Sequence, residues 1–115
     1  MAYDQELADR IRLVIGSDPA LTAVLTEKKM FGGLAFLIGG HMAISASREG
    51  GILVRVDPGE TERLVGSTSA TVAVMRGREM PGWLRVAAAD VAADEGLVPW
   101  VERSTAYTSS LPAKR

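Results

Sequence analysis

Three short apolar runs lie within the stretch Met30 to Val56, MFGGLAFLIGGHMAISASREGGILVRV. In the first, Leu34, Phe36 and Ile38 alternate with Ala35 and Leu37. In the second, Met42, Ile44 and Ala46 alternate with Ala43 and Ser45; in the third, Ile52, Val54 and Val56 alternate with Leu53 and Arg55. A period of two is the signature of strands. Glycine pairs at Gly32-Gly33 and Gly39-Gly40 border the first run, and Gly-Gly between alternating runs signals a two-residue hairpin. Residues 30–47 carry no formal charge, which raises the alternative of a transmembrane helix. Two pairs of poor helix formers in one span argue against it. An antiparallel meander accounts for all three runs.

The flanks read as helices and further strands. Tyr3, Leu7, Ile11 and Val14 recur at helical spacing, with Asp4 placed to cap the start and Gly16 to end the helix. Asp18-Pro19 opens a second, short helix carrying Leu21, Val24 and Leu25, which runs out at Glu27-Lys28-Lys29. Asp57-Pro58-Gly59-Glu60 opens a third, lasting to Val65, with Asp57 as cap and Glu60 reaching back in a capping box. Thr71 to Met75 reads as a strand, Arg76-Gly77-Arg78-Glu79 as a turn or loop, and Trp83 to Val86 as the last strand. The terminal helix starts at Asp94, or nearer Val98 if Pro99 marks its first turn. Its apolar stripe runs through Leu97, Trp100, Val101, Ser104, Thr108 and Leu111, and a polar tail follows from Pro112. The fold class is α+β, a single domain over residues 1–115 with an antiparallel meander sheet and the N- and C-terminal helices packed on it.

The strands are apolar on both sides. Ala35, Leu37 and Leu53 occupy positions where a sheet open to water on one face carries polar side chains. Either the 58–65 helix, the terminal helix and Trp83 cover that second face, or a second copy of the chain does, as a symmetric dimer.

Composition narrows the chemistry. The chain has 115 residues, 47% hydrophobic and 23% charged, ordinary globular values. With no cysteine, disulfides, thiolate metal sites and cysteine nucleophiles are excluded. His41 is the only histidine, which leaves little for a zinc site or a Ser-His-Asp triad. No metal or cofactor is expected. The net charge of −1 argues against direct nucleic-acid binding, which calls for a basic footprint. The N-terminus, MAYDQELADR, lacks the basic-then-apolar order of a signal peptide. A cytoplasmic protein with no membrane association is expected.

Few residues stand out as chemical. The glycine pairs lack the Lys-Ser/Thr of a P-loop and the spacing of a dinucleotide fingerprint. His41 sits beside a turn and reads as a hairpin-end side chain partly in solvent. Asp57, Glu60 and Glu62, and again Asp90, Asp94 and Glu95, stand at helix starts, where capping and the macrodipole explain them without catalysis. Met42 and Met75 are expected in the core. What remains is basic. Arg76 and Arg78 flank Gly77, and Lys28-Lys29 precede the meander. These four are the candidate binding residues for an anion or an acidic partner surface.

The run KKMFGGLAFLIGGHMA, then GREMPGWLRV, then DEGLVPWV resembles the N-terminal domain of the TfoX/Sxy competence regulators, a domain also found as small standalone proteins. The combination of Met30-Phe31-Gly32-Gly33 with Gly77-Arg78, Met80, Gly82 and Trp83 carries the resemblance, which extends from Tyr3 to about Leu111. It implies an α+β domain with helices against one face of an antiparallel sheet. In the full-length regulators this domain precedes a second one, and the pair promotes expression of DNA-uptake genes. The present chain reaches only to where that second domain would begin, so the regulatory role does not transfer with the resemblance. The resemblance brings no catalytic residues. The expected function is that of a non-enzymatic accessory domain that binds a protein partner, or a second copy of itself. The alternative is a small-molecule or anion-binding domain, or a minor enzyme, using Arg76 and Arg78.

Overall fold

Six strands form one antiparallel sheet in the order β1-β2-β3-β4-β6-β5. They are β1 (Leu25–Met30), β2 (Gly33–Ile38), β3 (His41–Ala46), β4 (Ile52–Arg55), β5 (Thr71–Met75) and β6 (Arg78–Val86). Four helices accompany them: α1 (Gln5–Gly16), α2 (Pro19–Thr22), α3 (Thr61–Ser67) and α4 (Asp94–Ser109). The computed structural model describes residues 3–30 and 32–112. Phe31 of the sequence motif and the tail residues 113–115 lie outside them.

The expected meander is β2-β3-β4. Gly39 and Gly40 join its first two strands at φ 59 and 87, the left-handed pair of a type I′ turn, whose twist matches the strands it connects. The register follows from that turn. Leu34 faces Ala46, Phe36 faces Ile44, Ile44 faces Val54, and Val54 faces Leu84. These rows line the helix-covered face of the sheet. Onto them α1 packs Leu7, Ala8, Ile11 and Ile15, α3 packs Leu64, and α4 packs Leu97, Trp100 and Val101. Phe36, Ile44, Val54 and Leu84 are fully buried there.

Buried polar positions on the core side of α4 are self-satisfied. The Ser104 and Thr105 hydroxyls donate to the Val101 carbonyl at 3.0 and 2.8 Å, and the Thr108 hydroxyl to Ser104 at 2.8 Å. Back-bonding of this kind lets a hydroxyl sit in an apolar seam without an unpaired donor. At the helix starts, Asp4 accepts from the Leu7 N–H at 3.2 Å and Asp18 from the Ala20 N–H at 2.9 Å, as the capping pattern implies.

Five local expectations need correction. The helix opened by Pro19 ends at Thr22, and Leu25–Met30, expected as its tail and a charged exit, is strand β1. Its Glu-Lys-Lys sequence is that of an edge strand, where charges discourage pairing with foreign chains. The last strand starts at Arg78 rather than Trp83. Met42 pairs with Leu37 while Ile44 pairs with Phe36. This bulge turns Met42 away from Ile44 and Ala46 onto the other face, so it leaves the core. Helix α4 does begin at Asp94, but the cap position falls to Ala93, whose side chain has no acceptor to offer; Asp94 pairs with Arg10 at 3.0 Å instead. Glu60 does not close a capping box; it pairs with Arg63.

One polar cluster ties α1 to the sheet edge. Arg12 donates through Nε and Nη2 to the two oxygens of Glu27 at 2.6 and 2.8 Å, and through Nη1 to Asp9 at 2.6 Å. Its guanidinium lies 5.9 Å from the centroid of Phe36, the cross-strand partner of Glu27. The Arg12 hydrogen bonds hold the Glu27 carboxyl below its ordinary pKa of 4.5, against the opposing effect of burial.

Two tests follow. Gly40→Val forces a β-branched side chain into the left-handed region and is expected to destabilise the domain by about 1–3 kcal/mol in chemical denaturation. An unchanged unfolding midpoint contradicts the turn. A carboxyl whose pKa is depressed on folding stabilises above its unfolded pKa, and that stabilisation disappears as pH falls through the folded value. Glu27→Gln is therefore expected to cost less than about 1 kcal/mol at neutral pH, because the pair is partly solvated. The gap from wild type closes below pH 4.5; a gap independent of pH contradicts the brace.

Candidate functional site

The face of the sheet opposite the helices is concave, and the chain covers part of it with its own hairpin. Lys28, Ala35, Ser45, Leu53, Arg85 and Thr71 follow one another across the six strands as register partners on this face. Ala35 and Leu53 are buried although α1, α3 and α4 all send their buried side chains to the other side. Met75 of β5, Arg76 of the following turn and Arg85 of β6 line the cavity above them, together with Met30, Met42 and Arg48.

Between Val72 and Val74 β5 advances two residues, while β6 advances five, from Leu84 back to Glu79. The surplus falls at Met80-Pro81-Gly82. Pro81 has no N–H to offer a ladder, and such a residue is tolerated at a bulge. Gly82 sits at φ 85, and a Cβ there would meet the Val56 carbonyl oxygen at 2.9 Å. Two hydrogen bonds pin the bend: the Val56 N–H donates to the Gly82 carbonyl at 2.7 Å, and the Gly82 N–H donates to the Thr61 hydroxyl at 2.8 Å. Beyond it the hairpin tip curls across the concave face. On a flat sheet β1 and β5 would stand about 24 Å apart, yet Met30 of β1 and Met75 of β5 line one cavity of about 280 Å³.

That cavity has three kinds of lining. Gly33, Ala35 and Leu53 form an apolar floor, and Met30, Met42 and Met75 form the sides. Methionine side chains are unbranched and polarizable and adapt to irregular shapes. Ser45 and Ser47 reach it from β3 and the residue after it, 7% and 8% exposed. Neither hydroxyl is hydrogen-bonded to a described residue. Arg48, Arg76, Arg85 and Glu49 complete the lining. Arg85 faces Glu49 at 3.4 Å; Arg48 and Arg76 form no ion pair with a described residue.

The structure does not bring the four sequence candidates together. Lys28 and Lys29 lie on the β1 edge, exposed and on opposite faces, since Lys28 pairs with Ala35 and Lys29 with Leu34. Arg76 and Arg78 lie on the hairpin at the other edge. Of the four, only Arg76 lines the cavity. It occupies the first position of a two-residue turn with Gly77, and its φ of 53 is the only positive value at a non-glycine described residue. Such a position is uncommon for a long side chain. Arg48, Arg85, Ser45 and Ser47 were missed. The signal was present for Arg85, which alternates with the apolar Leu84 and Val86, and for the two serines, which alternate with Ile44 and Ala46.

Several other polar residues have local partners. Asp57 accepts from the Gly59 N–H at 2.9 Å, Asp90 from the Ser69 hydroxyl at 2.8 Å, and His41 Nε2 lies 2.6 Å from the Pro112 carbonyl oxygen. Arg55 is stacked, with its guanidinium 5.1 Å from the Trp83 ring centroid and 5.6 Å from that of Tyr107. Among the described residues no three of His, Cys, Asp or Glu cluster as metal ligands, and no helix is long and apolar enough to cross a membrane.

The bend has a direct test. Gly82→Ala places a Cβ against the Val56 carbonyl and is expected to cost about 1–3 kcal/mol. Amides of residues 73–80 should lose hydrogen-exchange protection before those of β2 and β3. Uniform loss across the sheet contradicts a locally determined bend.

Comparison with known proteins gives one result. The family model described as the TfoX N-terminal domain matches residues 20–107, while no curated protein and no solved structure matches the chain. The match takes in α2, all six strands, α3 and most of α4, the cavity and its bent hairpin included. The chain belongs to the TfoX N-terminal domain family.

Proposed function

We propose that this domain is a non-enzymatic accessory module that acts by binding a protein partner, and that the partner adds an extended segment along β5. The observation that carries this reading is the contrast between the two sheet edges. β1 presents Glu27, Lys28 and Lys29, the charges that guard an edge against pairing. β5 reads Thr-Val-Ala-Val-Met, has no charge, and is paired on one side only. Val74 on it is 55% exposed. Strand addition to such an edge supplies main-chain hydrogen bonds for affinity and side-chain contacts for specificity. Arg76, in the turn after β5, and Arg78, at the start of β6 beside Met75, select a segment with acidic side chains. Regulation through such contacts fits the family.

The test is affinity capture from the native host with wild type, Val74→Lys and the Arg76→Ala/Arg78→Ala pair, followed by a binding titration of the captured protein. Val74→Lys is expected to abolish the interaction and the double variant to weaken it roughly tenfold at low salt, with thermal stability unchanged. Full affinity in Val74→Lys overturns strand addition. Light scattering on the purified chain identifies the case in which the added strand is β5 of a second copy.

A further inference from the structure

We propose that the cavity under the bent hairpin is a binding site for a small organic monoanion with a short aliphatic body, such as a medium-chain carboxylate. The site shares Met75 and Arg76 with the hairpin that carries the β5 edge, but it opens onto the face of the sheet. Its shape and chemistry are divided in the way such a ligand is divided. The floor and sides, Ala35, Leu53, Met30, Met42 and Met75, offer apolar and polarizable contact. At about 280 Å³ the cavity lies near the lower end of the range for small-molecule sites.

The balance of polar groups favours an anion. Three guanidinium groups, Arg48, Arg76 and Arg85, share the lining with one carboxylate, Glu49, so the site carries a net positive charge. Arg85 is already held by Glu49 at 3.4 Å, which leaves Arg48 and Arg76 for an incoming carboxylate. Ser45 and Ser47, each more than nine-tenths buried, have hydroxyls that bond to no described residue. A carboxylate oxygen accepts from both, and charge-assisted hydrogen bonds of this kind are the strong ones. An amine would meet the same guanidinium groups as repulsion. A neutral alcohol would gain the apolar contacts and hydrogen bonds to a hydroxyl, without the attraction between full charges.

Butanoate, hexanoate and octanoate are the probes, with hexylamine and hexanol as controls, titrated into the isolated wild-type chain. Methionine methyl NMR follows the binding. Hexanoate is expected to bind saturably with a Kd of about 1 mM or tighter. It should shift the methyl signals of Met30, Met42 and Met75 while Met80, outside the lining, stays still. Hexylamine should cause no saturable shift, and hexanol should bind at least tenfold more weakly. Arg48→Gln, at an exposed position that the fold does not depend on, is expected to weaken hexanoate roughly tenfold. Absence of saturable binding by all three carboxylates overturns the proposal. So does equal binding of hexylamine, or shifts confined to methionines other than these three. Because no partner is present, these outcomes leave the strand-addition reading to its own test.

Discussion

Gly82 is held at φ 85 with its carbonyl bonded to the Val56 N–H and its own N–H to the Thr61 hydroxyl. A residue with a side chain would press on the Val56 carbonyl there, so the longest strand of the sheet turns at this point and at no other. Two consequences depend on it. The half of β6 nearer its end, Trp83 to Val86, stays paired with β4 and β5 in the body of the sheet. The half nearer its start, with β5 beside it, curls over the face that no helix occupies. Without the bend, Ala35 and Leu53 would be apolar side chains open to water. With it they are buried, and a hollow is left that Met30, Met42 and Met75 line without filling.

The other face is held by conventional means. Rows of branched and aromatic side chains from β2, β3, β4 and β6 meet α1 and α4, and hydrophobic burial of about 25 cal/mol per Å² is the dominant stabilising term. The polar devices at its margin orient rather than hold. Arg12 joins α1 to Glu27 on β1 across the Phe36 ring, and Arg10 joins α1 to the start of α4 through Asp94 and the Val91 carbonyl. Partly solvated pairs of this kind contribute little individually. Their geometry nevertheless fixes where both helices lie.

The sequence carried the architecture unevenly. Strict alternation and the Gly39-Gly40 turn located β2 and β3, because period and turn chemistry agree there. The strand β1 was hidden because its charges, which protect an edge, make the segment look like a helix exit. The start of β6 was hidden because Pro81 and Gly82 are breakers in isolation and form a bend only when Val56 and Thr61, from other elements, bond to it. Met42 was assigned to the wrong face for a related reason: a bulge is a pairing property and leaves no mark on the pattern of one strand. Of the candidate site, Arg76 was legible as a basic residue in a short turn. Its neighbours in the cavity come from β3, β4 and β6, and no spacing along the chain joins them. The doubly apolar strands pointed to a covered second face, but a hairpin as the cover requires knowing that β6 bends.

The central claim is that the hairpin tip folds over the concave face in solution. Nuclear Overhauser contacts from the Met75 methyl group test it most directly. The account predicts cross-peaks to side chains of β2 and β3 that line the cavity, Ala35 and Met42 foremost. Cross-peaks confined to β6 neighbours, as in a flat sheet with β5 at its far edge, would contradict it.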